Sequence, residues 1–280
     1  MQVTLWGTRG SIPTPKAGHT AYGGSTSCVA VRTGDRRQLI LDGGIGLHWL
    51  GKELLQGNFS SGTGRAYILL THAHWDHIQG IPFCYPMLIA GNRFIIYGCG
   101  GPASSIDDLL KQQMESTFCP VPNFFDDLIG ATVEVENIEP GEFAIGETRI
   151  LARAVNHVDG AVCLGYRLEN GTSSLAYLPD VEYLEVEHRQ PALELARGVD
   201  LLIHDAYFTA EEYATHRGRG HATDRDALDI ATEAGVGRLL LFHHHPERDD
   251  EAIDRIAAAH AQAAIPVEAA RQGSRYDLGV

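Results

Sequence analysis

The sequence predicts an α/β domain with two packed sheets. Three observations carry that expectation. Strand-like and helix-like runs are interleaved from end to end. The early part is mostly strands, whereas later strands are separated by helices. No linker, repeat or low-complexity stretch divides the chain, so residues 1–280 read as one domain. Apolar residues make up 44% and charged residues 21%, an ordinary globular balance that excludes a disordered or collagen-like chain. A chain of 280 residues can bury a core without help from disulfides or a structural metal.

Each element has a local reason. Residues 2–6, 27–32 and 38–42 are short apolar or alternating runs that fit strands, as are 65–71, 93–97 and 147–155. Residues 163–169 and 174–178 flank Asn170-Gly171, a strong hairpin signal. Residues 201–204 and 238–242 read as buried strands. Helical spacing covers 104–114, 191–197, 224–234 and 249–263. The helix over 224–234 has Thr223 as N-cap, Asp226 placed for a capping box and Gly235 as its stop.

Charge and cysteine usage narrow the function classes. Lys plus Arg number 22 against 36 Asp plus Glu, a net charge of −14. Proteins that grip nucleic acid through its backbone usually carry a basic excess, so no long nucleic acid is expected as a partner. The five cysteines, Cys28, Cys84, Cys99, Cys119 and Cys163, are odd in number and form no C-x-x-C pair, which argues against a disulfide framework or zinc ribbon. No apolar run approaches the ~20 residues of a membrane span, and the first residues read as a strand and not as a leader. The expected location is the cytoplasm, with no membrane partner.

The sharpest signal is Thr71-His72-Ala73-His74-Trp75-Asp76-His77, directly after the apolar run 66–70. In an extended segment His72 and His74 share a face, and Asp76 and His77 follow where the chain turns into a helix. Imidazoles and a carboxylate suit zinc and similar divalent metals, and the two adjacent pairs can feed two ions. The bland alternative is a helix start with solvated histidines.

This His-x-His-x-Asp-His motif resembles the signature of the metallo-β-lactamase superfamily. Residues 7–13, 24–27 and 39–44 resemble the opening of its phosphodiesterase branch, which includes tRNase Z. The resemblance implies a four-layer αββα sandwich, the metallo-β-lactamase fold, with a two-metal site at one edge. It implies that His72, His74 and His157 hold one metal, that Asp76, His77 and His243 hold the other, and that Asp180 bridges them. Zinc is the first expectation for the two divalent ions, with manganese or iron accepted by the same ligands. Within His243-His244-His245, His243 is the favoured last ligand and His244 the alternative. Asp205 and His221 match an acidic residue and the histidine it orients to protonate the leaving oxygen, so the expected catalytic residues are Asp76, His221 and Asp205. His204 reads as structural.

The reaction this implies is hydrolysis of a phosphodiester by a metal-bridging hydroxide, with His221 as general acid. The tRNase Z branch carries a long arm between the matches of His157 and Asp180. Here those residues are only 23 positions apart, and the Asn170-Gly171 hairpin fills the interval. A small phosphodiester, with cyclic nucleotides in the lead, is therefore the expected substrate. The alternatives are a tRNA 3′-end endonuclease or a metal-binding scaffold without activity. Arg9 and Arg217 are expected as local cations near the substrate. Residues 113–128, rich in proline and aromatics, read as a lid or a contact within a homodimer. The run Gly46–Glu53 nearly spells a phosphate loop, but Glu53 stands where Ser or Thr must bind magnesium.

Overall fold

The protein is described by a computed structural model over residues 1–101, 103–119, 130–158 and 162–279. Residues 120–128 of the expected lid or dimer contact lie outside the described residues. Two seven-stranded sheets form the centre. The first contains β1 (Gln2–Gly7), β2 (Cys28–Arg32), β3 (Gln38–Leu41), β4 (Arg65–Leu69), β5 (Arg93–Gly98) and β6 (Thr132–Asn137). The second contains β7 (Gly141–Ile145), β8 (Thr148–Val155), β9 (Cys163–Asn170), β10 (Ser173–Leu178), β11 (Leu201–Asp205), β12 (Leu239–Phe242) and β13 (Val267–Ala269). The chain then returns to add β14 (Arg275–Asp277) beside β1, giving the orders β14-β1-β2-β3-β4-β5-β6 and β13-β12-β11-β10-β9-β8-β7.

The helices are α1 (Gly46–Leu54), α2 (Trp75–Ile78), α3 (Ile106–Gln113), α4 (Arg189–Ala196), α5 (Ala210–Tyr213), α6 (Asp224–Ala234) and α7 (Asp250–Ala259). Three apolar clusters account for the layers. Val3, Leu41, Leu69, Tyr166, Tyr177 and Phe242 pack between the sheets. Ile40, Ile68 and Phe94 meet Leu47, Ile106 and Leu110 under α1 and α3. Leu178, Leu202 and Leu239 meet Leu195, Ala227 and Ile230 under α4 and α6. The result is the expected αββα sandwich. Strand β4 buries four of its five residues because both of its faces are covered.

The parallel strands explain where a site can form. β3 to β6 run parallel in one sheet and β10 to β13 in the other. Their carboxyl ends are followed by Asp42, His72, Asp180 and His243, while Asp205 ends β11 itself. Crevices outside such strand ends are where open α/β sheets place ligands.

Several local expectations meet small corrections. α6 is capped by Thr223 with its Asp226 capping box and stops at Gly235, whose φ is 66°. The hairpin turns one residue later than expected, on Gly171 and Thr172, with Asn170 still paired to Ser173. The Asn170 side chain is buried there and accepts from Gly34 N–H at 3.0 Å, which ties it to the neighbouring β2–β3 turn. Gly46 starts α1, the element that imitated a phosphate loop. A Cβ at Gly46 would lie 2.7 Å from the Trp6 backbone, so this glycine serves close packing of α1 on β1.

Candidate metal centre

Every expected ligand arrives at one edge of the sandwich. The loop after β4 is anchored by Asp42, whose carboxylate accepts the Thr71 N–H at 2.8 Å and the Thr71 hydroxyl at 3.0 Å. His72 is buried, His74 is the N-cap of α2, and Asp76 and His77 occupy its short turn. Ring nitrogens of His72, His74 and His157 lie within 4.8 Å of one another, and the same holds for ligand atoms of Asp76, His77 and His243. Asp180 stands between the groups. Its Oδ1 is 3.9 Å from His157 Nε2, while its Oδ2 is 3.0 Å from His77 Nε2 and 3.6 Å from His243 Nε2.

The donor set fits divalent cations. His72 Nε2, His77 Nε2 and Asp180 Oδ2 are buried and make no hydrogen bond with any described residue, although His77 Nε2 and Asp180 Oδ2 are 3.0 Å apart. Orphaned polar atoms are costly, on the order of 1–3 kcal/mol each, unless something else satisfies them. The opposite ring nitrogens are already engaged. His77 Nδ1 meets Asp42 Oδ2 at 2.8 Å, His157 Nδ1 donates to the Gly220 carbonyl at 2.6 Å, and His72 Nδ1 lies 3.0 Å from the Thr71 hydroxyl. Imidazoles held at Nδ1 with Nε2 lone pairs converging are oriented as metal ligands are.

The electrostatics agree. Burial opposes charge on His77, but Asp180, Asp76 and Asp42 around it raise its proton affinity well above the usual histidine range. Burial likewise opposes charge on Asp180, yet His243 and His77 hold its carboxyl well below the usual range. Burial pushes His72, His74 and His157 down, which keeps these imidazoles neutral and able to coordinate.

Two glycines make the geometry possible. A Cβ on Gly10 would lie 2.6 Å from His243 Nδ1, and one on Gly220 would lie 2.6 Å from His157 Nδ1. His243 itself adopts φ 57°, a left-handed conformation rare for a residue with a side chain. That turn, and not strand alternation, separates it from its neighbours. His244 faces the opposite way and meets the Ala270 carbonyl at 2.7 Å, where burial pushes its pKa down to about 3. His245 leans on the Tyr207 ring at 4.6 Å. Of the two alternatives for the last ligand, His243 faces the cluster.

Asp205 and His221 are also brought together. Asp205 is fully buried and its Oδ2 meets His221 Nδ1 at 2.9 Å. The carboxylate also accepts from the backbone N–H of Val181 and Tyr207. One face of His221 stacks on Tyr207 with ring centroids 4.2 Å apart and planes 13° apart. Asp180 and Asp76, both near His221, favour its cationic form. Burial outweighs them and lowers the His221 pKa, and burial also raises that of Asp205.

One expectation is corrected by burial. Arg9 is fully buried, and donates to the Gly23 carbonyl at 2.8 Å and the Arg248 carbonyl at 2.7 Å, so it is no substrate cation. Arg217, by contrast, is exposed, donates to the Leu184 carbonyl and lies 3.8 Å from Glu185. His204 is structural, held between the Asp205 carbonyl and the Tyr183 hydroxyl. Two supporting carboxylates were missed. Asp42 orients His77, and the signal was an acidic residue with Gly43-Gly44 closing an apolar strand. Glu182 accepts from Gly218 N–H at 2.6 Å and Gly220 N–H at 2.7 Å, fixing the loop that carries Gly220 and His221. Its signal was only its place two residues after Asp180.

Residues 37–244 match the family model described as the Beta-lactamase superfamily domain. The chain belongs to the metallo-β-lactamase superfamily. Membership makes it a metal-dependent hydrolase and accounts for the His/Asp cluster. Among relatives of this superfamily, a ribonuclease Z of Haloferax volcanii is 25% identical over 87% of this chain and 84% of that protein. A ribonuclease Z of Brevibacillus brevis is 43% identical over 67 residues, 24% of this chain. Among solved metallo-β-lactamase folds, YhfI from Bacillus subtilis aligns with a TM-score of 0.71 at 23% identity, covering 98% of each chain. The short form of human tRNase Z aligns over the whole of both chains with a TM-score of 0.67 at 20% identity.

The ribonuclease Z relatives overturn the expectation that long nucleic acid is excluded as a partner, because they match over most of the chain. The error has a physical source. A net charge of −14 is a global sum, whereas phosphate recognition needs only a local arrangement of cations. No helix among the described residues is long and apolar enough to cross a membrane.

Proposed function

We propose that this protein is a phosphodiesterase that uses two divalent ions, zinc first among them, to cleave RNA in the manner of the ribonuclease Z relatives. The observation that carries the reading is the Asp205–His221 pair set beside the ligand cluster, with His221 Nδ1 only 3.6 Å from Asp180 Oδ1. His72, His74 and His157 would hold one ion, Asp76, His77 and His243 the other, with Asp180 shared. When bound, the ions would lower the pKa of water and polarise the phosphoryl oxygens.

The chain's own residues supply the rest. Asp205 engages His221 at Nδ1, which leaves Nε2 to donate a proton to the departing alkoxide oxygen. Burial lowers the His221 pKa and so makes its imidazolium a stronger acid. Tyr207 fixes the plane of that ring, and its hydroxyl meets Ser11 Oγ at 3.0 Å. The Ser11 N–H in turn donates to Asp76 Oδ2 at 2.8 Å, which links the acid side of the pocket to a ligand.

A second reading, hydrolysis of a small cyclic nucleotide, is favoured by one observation. The β9–β10 hairpin takes up most of the interval between His157 and Asp180, the place of the long arm in the tRNase Z branch. The test is a side-by-side assay of the metal-loaded protein on a tRNA precursor with a 3′ trailer and on cyclic mononucleotides. Precursor cleavage at the higher kcat/KM supports the RNA reading. Turnover of a cyclic nucleotide without precursor cleavage sinks it and promotes the second.

A further inference from the structure

A groove of about 690 Å³ lies away from the metal centre, running from the outward faces of β1 and β2 around the β2–β3 turn to the start of β4. Arg32, Arg36, Arg65 and Arg275 line it, all exposed and none with an ion-pair partner among the described residues. Arg37 adds a fifth guanidinium, engaged by Asp35 at 2.8 Å and by the Tyr67 hydroxyl. Glu53 is the other carboxylate in the lining. Arginines therefore outnumber carboxylates here, in a chain that is strongly acidic as a whole. Elsewhere arginines such as Arg93, Arg149, Arg153 and Arg189 each hold a carboxylate.

The sheet fixes the spacing of these cations. Arg32 pairs in register with Gln2 and Gln38, and Arg275 pairs with Thr4, so both charges stand beside neutral polar side chains. Guanidinium groups present forked donors that match phosphate oxygens. Several unpaired guanidiniums along one groove match a repeating anion better than a single one. Arg65 opens β4 and His72 follows seven residues later, a span of about 23 Å at ~3.3 Å per residue. A small substrate at the metals cannot reach the groove. An RNA strand can, since its chain of phosphates runs on without a break over such a length.

We propose that this groove is a second binding surface for the phosphate backbone of RNA, remote from the metals. It takes up part of the work that an arm does in the tRNase Z branch, and so it deepens and rests on the RNA reading above. An acidic protein is the competing occupant.

The test is fluorescence anisotropy with a labelled 2′-O-methyl RNA hairpin bearing a 3′ tail, which resists cleavage, titrated across a salt series on the metal-loaded protein. The double variant Arg32→Gln/Arg65→Gln should bind roughly tenfold more weakly at physiological salt. Its slope of log affinity against log salt should flatten by about 1.4, ~0.7 for each lost phosphate contact. Hydrolysis of bis(p-nitrophenyl) phosphate should stay unchanged. Arg36→Gln/Arg275→Gln is an independent second pair, expected to behave alike. Arg149→Gln, whose arginine is ion-paired on the other sheet, is the control and should bind as wild type. Unchanged affinity and slope in both double variants would overturn the proposal and leave the groove to an acidic partner. Equal weakening by Arg149→Gln would overturn it too. RNA held by the groove but never cleaved would sink the hydrolytic reading alone, while cleavage with unaltered KM in both pairs would sink the groove alone.

Discussion

His77 Nδ1 and Asp42 Oδ2 meet at 2.8 Å, and both side chains are fully buried. Asp42 is itself at φ 60° and also accepts from Thr71 and from the Tyr177 hydroxyl at 2.9 Å. One carboxylate on a left-handed backbone thus joins the first sheet, the second sheet and an imidazole of the His/Asp cluster. A backbone of this kind persists only where the surroundings hold it.

Asp42→Asn tests that relationship. It keeps the shape but loses the charge that would make His77 a strong ligand. Metal affinity should fall about 10- to 100-fold, the usual effect of removing a group that orients a ligand. Competition with a chromophoric chelator measures it. Affinity equal to wild type would show that Asp42 serves the fold alone.

Metal stoichiometry tests the division of the ligands. Elemental analysis of protein purified without chelator should give close to two divalent ions per chain. Asp180→Ala should lose more metal than His74→Ala, because Asp180 faces both groups while His74 belongs to one. A fully active preparation with one ion per chain would defeat the two-ion reading.

Much of the site was legible because it follows apolar strands. His72, Asp180 and His243 each come within three residues of a run that can only be a buried strand, and strand ends on a rigid sheet are where chemistry is displayed. Asp42 stands out in sequence only as part of the motif at 39–44, since nothing there shows that a strand-end carboxylate faces inward to a histidine 35 positions away. Strands β6 and β7 were missed for another reason. Each is an edge strand of its sheet, and their glutamates break the apolar pattern that marks inner strands. The arginine groove was invisible because Arg32, Arg65 and Arg275 are adjacent only through strand pairing and the surface between, never in the chain.

The role of His221 is separated from metal binding by the leaving group. His221→Ala should retain its metal yet lose about 10²- to 10⁴-fold in RNA cleavage, the usual contribution of a general acid. Hydrolysis of bis(p-nitrophenyl) phosphate should suffer far less, because p-nitrophenolate departs without a proton. Tyr207→Phe keeps the stack on His221 and should cost little, whereas Tyr207→Leu should lower kcat on RNA selectively. Equal losses on both substrates would remove His221 from the acid role.

His204 predicts the acid limb of stability. It is fully buried, and burial pushes its pKa down to about 4. As a neutral ring it donates from Nδ1 to the Asp205 carbonyl at 2.7 Å and accepts at Nε2 from Tyr183 at 2.7 Å. In the unfolded chain a histidine titrates near 6.5, so above that pH both states are neutral and the contribution is fully present. Between about 6.5 and 4 the unfolded state binds a proton that the folded state refuses, so stability falls as pH falls through that window. The loss approaches roughly 3 kcal/mol at its lower end, at ~1.4 kcal/mol per pH unit. His244 is depressed in the same direction and adds to the slope. His204→Asn can still donate to the Asp205 carbonyl but cannot titrate. Urea midpoints of the variant should start lower at neutral pH and then decline less steeply than wild type between pH values near 7 and 5. Parallel declines would mean that the buried ring contributes nothing to acid sensitivity.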